Sequence, residues 1–126
     1  MRLVLLAALG GALGTMARYL TVAAATRVLG PDFPWGTFAV NIGGSLAIGA
    51  LMAAIGQWWG GSADLRVLLV TGFLGGFTTF SAYSFDILQL IERRAMLEAL
   101  LYAFGSVFFS LLAVAAGYSA IRALAS

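Results

Sequence analysis

Three sets of polar residues interrupt long apolar runs in this chain, and two of them have the spacing of a helix face. Thr37, Asn41 and Ser45 fall at i, i+4 and i+8, and Tyr102, Ser106 and Ser110 repeat that spacing on another run. Residues four apart share one side of a helix. The third set is the stretch 72–83, in which Gly72, Gly75 and Gly76 are followed by Thr78, Thr79 and Ser81, with aromatics threaded between. Each set has a bland and a chemical reading. The Asn41 amide either makes an interhelical hydrogen bond, worth about 0.6–2 kcal/mol, or offers its N–H groups to a passing anion. The serines either bond back to the i−4 carbonyl or, as two matching stripes, line a shared path. The glycine-rich stretch is either a close helix contact or a broken helix whose freed backbone binds something. Non-helical backbone at membrane depth must be buried in protein or line a wet cavity, because lipid cannot satisfy its N–H and C=O groups.

The chemistry available to these groups is that of neutral donors. Hydroxyls, one amide and the positive edges of aromatic rings suit an anion, and they carry no fixed charge that would trap it. A small, hard, strongly hydrated anion gains most from closely spaced donors. Rings of acidic residues suited to a cation path are missing. Carbonyls of glycine and threonine released from helical pairing are hard oxygen ligands for a small cation. At a two-fold axis, two such carbonyls per copy make a four-oxygen structural cage. With no His and no Cys, imidazole or thiolate metal sites, the common triads and disulfides are excluded. No paired carboxylates point to an intramembrane enzyme.

The elements that position these residues follow from composition. Of 126 residues, 62 % are hydrophobic and 10 % charged, against about 25 % charged in soluble domains. The chain reads as one all-α membrane domain, 1–126, with four spans at about 3–25, 37–58, 66–91 and 97–121. The start, Met1-Arg2 followed by an apolar run, has the look of a signal peptide, but the run continues past Arg18-Tyr19 and reads as a span. Gly10, Gly14 and Arg18 are four apart, a stripe that lets another helix come close. Arg18 inside a span should face protein or water, or snorkel to the interface. Gly43, Gly44 and Gly49 are further close-approach points. The segment 26–36 holds turn residues, Trp58 and Trp59 belong at headgroup level, and Gly60-Gly61-Ser62 makes the next turn. If helix resumes near Thr79, then Phe80, Tyr83 and Asp86 line one face. Asp86 is the one acid placed within a span and so a functional suspect, although near the span's end it can equally be solvated or paired with arginine. The arginines form no basic run for nucleic acid.

Four spans put Arg2, Arg66 and Arg122 on one side and Arg27, Arg93 and Arg94 on the other. Orientation follows an excess of basic residues in cytoplasmic loops, and three against three gives none. Copies inserted both ways up would pair about a two-fold axis in the membrane plane. Fusion reporters showing a single orientation would refute that reading.

The pieces Gly10-Gly11-Ala12-Leu13-Gly14 with Arg18-Tyr19, Gly36-Thr37-Phe38-Ala39-Val40-Asn41 with Gly44, and the stretch 72–83 occur here in order and spacing. On them the chain resembles the Fluc (CrcB-type) fluoride channels over essentially its full length. The resemblance implies an antiparallel, dual-topology homodimer with the third helix broken mid-membrane, two fluoride pores and a central structural sodium ion, relieving fluoride toxicity by passive export across the cytoplasmic membrane. It implies Asn41 as the pore amide with Thr37 nearby, Phe80 and Tyr83 as the rings beside the ion, and Ser106, Ser110 and Tyr102 as a polar track. Gly75 and Thr78 would give backbone carbonyls to sodium, and Arg18 and Asp86 would be structural or vestibule residues. Asp86 stands where the family commonly has Glu. Tyr83 stands where it usually has Phe, and its phenol adds a donor and bulk. Two rival classes are a small dual-topology exporter coupled to protons through Asp86 and a purely structural subunit, which would leave both stripes unexplained.

Overall fold

In a computed structural model describing all residues, Met1–Ser126, the chain is helical throughout, with four stretches long and apolar enough to cross a membrane. They are α1 (Arg2–Leu29), α2 (Trp35–Trp58), a third stretch spanning Ala63–Glu92, and α5 (Met96–Ala125). The chain is a multi-pass membrane protein. The third stretch has two parts, α3 (residues 63–77) and α4 (Phe80–Glu92), with Thr78 and Thr79 extended between them. Runs of Leu, Ala, Val and Ile without a breaker favour helix, and in lipid the helix satisfies its own backbone. Each run stops where the chemistry changes. α1 ends at Gly30 (φ 87°) before Pro31, later than the turn expected from residue 26, because nothing before Gly30 breaks it. α2 ends at a turn in which Gly60 and Gly61 both take positive φ, a conformation glycine adopts without a Cβ penalty.

Two helix pairs make the scaffold. α1 packs on the stretch Arg66–Leu74, which winds with wider i→i+5 turns, a form frequent at functional positions. A Cβ on Gly10 or Gly14 would collide with the backbone carbonyls of Leu68 or Phe73, so the small-residue stripe of α1 does admit another backbone. α2 packs along α5 in a reciprocal way: Gly49 faces the backbone at Val114 and Tyr118, while Gly117 faces the backbone at Leu46 and Ala50. Of the three close-approach points expected in α2, Gly44 and Gly49 serve, but Gly43 faces open space with nothing within 4 Å of an added Cβ.

The buried interior is small, and the outward faces are apolar. Leu5, Leu9, Leu13, Met16 and Leu20 of α1 and much of α5 are exposed, the distribution of a protein solvated by lipid or by partner helices rather than by water. The end carrying Arg2 and Asp64 is marked by their ion pair at 3.2 Å. At the other end Arg93 donates to the Asp32 carbonyl at 3.3 Å.

Candidate functional site

α2, the end of α3, the start of α4, and α5 enclose a cavity of about 430 Å³, open on one side. It exists because Gly44 leaves room for the Thr78 side chain to come against α2, which brings the extended residues to the helix carrying Asn41. Asn41, Ser45, Thr79, Tyr83, Ser106 and Ser110 are among its lining residues, and no charged side chain joins them.

The extended stretch has exchanged helical hydrogen bonds for others. The Thr79 N–H, which a continuous helix would give to the Gly75 carbonyl, donates instead to Asn41 Oδ1 at 2.8 Å. The Ala82 N–H, which would go to Thr78, donates to Thr79 Oγ1 at 3.1 Å, making Thr79 the N-cap of α4. Arg18 Nε donates to the Gly76 carbonyl at 3.0 Å, so this intramembrane arginine faces protein rather than snorkelling. Thr78 anchors itself to Leu74, its N–H and its hydroxyl both donating to that carbonyl. The Thr78 carbonyl itself accepts no bond from the chain. Two of the three glycines meanwhile serve packing, while Gly75 has no close neighbour and borders the cavity. Gly76 lies against Gly11 and Thr15, and Gly72 against Ala7 and Gly10.

The residues singled out by spacing divide between two places. Asn41, Phe80, Tyr83, Ser106, Ser110, Gly75 and Thr78 all lie on the large cavity. Thr37 does not. It is buried at 6 % exposure and lines a second cavity of about 160 Å³ with Asp86, Gln89 and Arg93. The reason is helical drift: each i+4 step over-rotates by about 40°, enough over two steps to carry Thr37 off the face that Ser45 holds. Asp86 leaves the face of Phe80 and Tyr83 by drift in the opposite sense, because each i+3 step under-rotates by about 60°. Asp86 has no arginine partner but accepts the Tyr102 hydroxyl proton at 2.8 Å. Tyr102, fully buried, lines neither cavity and packs edge-on against Phe33 and at a tilt against Phe38 and Tyr83.

Among the cavity residues, the donors that remain free are few. Ser45 donates to the Asn41 carbonyl, the back-bond expected of a membrane serine. The Tyr83 hydroxyl donates to the Ala103 carbonyl at 2.6 Å, so its phenol adds no donor to the cavity, contrary to expectation. The Asn41 Nδ2 donates once, to the Thr79 carbonyl, and keeps its second proton. Ser106 stands out: its hydroxyl is buried at 4 % exposure and has no partner at all. Phe80, by contrast, is 77 % exposed, projecting from the open side of the cavity. Thr79 and Ser45 belong to the polar sets read from spacing, but the resemblance implies no role for either. A threonine just ahead of a resumed apolar helix, an N-cap position, is the signal that marks the first.

The family described as CrcB-like protein, Camphor Resistance (CrcB), matches residues 5–118. The chain belongs to the CrcB family. Its similarity extends over nearly the whole of each relative. A protein of Rhizobium leguminosarum bv. trifolii (strain WSM2304) named "Fluoride-specific ion channel FluC" is 48 % identical over 121 residues, 96 % of this chain and 97 % of that one. A protein of the same name from Chelativorans sp. (strain BNC1) is 49 % identical over 120 residues, 95 % and 96 % of the two chains. A third, from Rhizobium meliloti (strain 1021), is 46 % identical over 121 residues, 96 % and 97 %. The name these CrcB relatives carry is that of a transport protein, not an enzyme.

Proposed function

We propose that this CrcB-family chain is a fluoride-specific ion channel, passing fluoride down its gradient out of the cell through the cytoplasmic membrane. The observation that carries the reading is the unpartnered, buried Ser106 hydroxyl on a cavity without charged side chains. A buried hydroxyl with no partner costs about 1–3 kcal/mol, a cost that persists where the group has a ligand to meet. Fluoride leaving water needs replacement donors. Ser106, Ser110 and the second Asn41 proton supply them, and the ring edges of Phe80 and Tyr83 add weakly positive surface. Neutral donors let an ion enter and leave, whereas a fixed cation in the cavity would hold it. Tyr102 and Thr37 act behind this track, shaping the polar region that ends at Asp86.

In this reading the functional unit is an inverted pair of chains with two pores. The evenly divided arginines support either orientation in the membrane, and the apolar outer faces with the projecting Phe80 leave surface for a second copy. The interruption at Thr78–Thr79 would lie at membrane depth. Its oxygens fit a structural sodium at the pair's axis: the Thr78 carbonyl has no donor, and the N–H usual for the Gly75 carbonyl is bound elsewhere. Gly75 and Thr78 would hold that ion, which supplies a fixed charge tying the two copies together.

Fluoride efflux from proteoliposomes, read by a fluoride electrode with valinomycin present and chloride as the control, tests the proposal. Rapid, voltage-driven fluoride release without chloride release is expected. No release from folded protein would overturn it.

A further inference from the structure

The last turn of α3 and the extended Thr79 that follows it are each held by a side chain of another helix. From α1, the Arg18 guanidinium reaches the Gly76 carbonyl at 3.0 Å. From α2, the Asn41 amide meets both faces of one residue's backbone: Oδ1 accepts the Thr79 N–H at 2.8 Å, and Nδ2 donates to the Thr79 carbonyl at 3.0 Å. A primary amide is the side chain with an adjacent donor and acceptor suited to this double contact. Serine or threonine at position 41 offers a single oxygen, and Asp offers acceptors alone.

This grip matters because Thr78 and Thr79, with φ/ψ of −89°/158° and −154°/119°, are extended: the Thr78 N–H still bonds back to Leu74, but the Thr79 N–H has left the helical ladder. Thr79 is the residue from which α4 departs, and Phe80 and Tyr83 stand in the first turn after it. A rotation at the Thr79 backbone would therefore swing both rings relative to Ser106 on α5.

We infer that Asn41 and Arg18 are positioning residues: they brace the Gly76–Thr79 backbone from α2 and α1, and through it set the two rings and the hydroxyl track to one another. The consequence for ion passage rests on the channel reading, but the brace does not. The main contribution of Asn41 to transport is then exerted through the Thr79 backbone, its contact with the ion being secondary.

Hydrogen exchange of the full chain in lipid nanodiscs, in fluoride-free buffer, tests the brace, alongside fluoride efflux normalised to folded protein. In the native chain the Thr79 amide should be protected without fluoride. Rapid exchange there overturns the inference with no variant needed. Asn41→Ala should speed exchange in residues 75–83 on the order of tenfold and lower efflux per folded molecule by a similar factor. A purely structural role would reduce the amount of folded protein and leave efflux per molecule unmoved. Asn41→Asp keeps an acceptor for the Thr79 N–H, so its exchange should fall between the native chain and Asn41→Ala. Efflux lost with exchange unchanged would assign Asn41 to the ion directly and defeat the inference. Should Asn41→Ala fail to fold, Arg18→Met probes the other arm, with faster exchange in the same stretch expected and unchanged exchange refuting it. If the native chain releases no fluoride, the exchange results still decide the brace by themselves.

Discussion

Ser106→Ala should leave the protein at least as stable while making it a poorer channel, a pairing of signs that few substitutions give. The Ser106 hydroxyl is buried at 4 % exposure without a partner. Removing one half of a hydrogen bond costs stability, but removing a polar group that has none relieves a desolvation penalty of roughly 1–3 kcal/mol. Ser106 borders an open cavity, so the missing oxygen seals no new void and the packing loss is small. The variant should be as stable as the native chain or up to about 1 kcal/mol more stable. For an ion the sign reverses. A hydrogen bond to a charged group is worth about 1.5–3 kcal/mol, or roughly ten- to a hundredfold in rate if made at the top of the barrier. Denaturant titration in mixed micelles and fluoride efflux per folded molecule measure the two quantities on one preparation. A destabilisation of about 1 kcal/mol or more, with efflux unchanged, would show that the hydroxyl has a structural partner and would remove the observation on which the functional reading rests.

Phe80→Ile should cut fluoride efflux by at least about tenfold, because a branched aliphatic group offers no positive ring edge; undiminished efflux would reduce the ring to packing. Tyr83→Phe removes the 2.6 Å bond to the Ala103 carbonyl and should destabilise the fold by about 1 kcal/mol, read by the same titration. Asp86→Asn keeps an oxygen for the Tyr102 hydroxyl and should retain voltage-driven fluoride release with no response to an imposed pH gradient. Loss of release in this variant, with native release that responds to the pH gradient, would favour the exporter.

Much of this architecture is legible in the chain. Apolar length marks the four membrane stretches, and the stripe of Ser106 and Ser110 points to the cavity that they line. The stretch 72–83 held two functions at once. Gly72 and Gly76 make the close contact with α1, while its threonines carry the extended backbone, and composition alone could not divide those roles. Spacing by fours misjudged Thr37 because it ignores the drift of a 3.6-residue turn. The Tyr83 phenol and the Asn41 amide show a different limit. Whether a polar group faces an ion or a carbonyl depends on what stands opposite, Ala103 in one case and Thr79 in the other, and both partners are remote in sequence.

The reciprocal seating of α2 and α5 also bears on how the protein is made. Gly49 and Gly117 each receive the other helix's backbone, so the two helices mesh at one axial setting, and a slip of one residue drives a side chain into a carbonyl. α5 leaves the ribosome after α2, α3 and α4. Until it docks, α2, α3 and α4 have neither Ser106 nor Ser110 beside them. A chain in the bilayer whose α5 has not docked therefore lacks both of these hydroxyls on the cavity wall. The hydroxyl-bearing wall of the cavity is thus completed only when α5 docks.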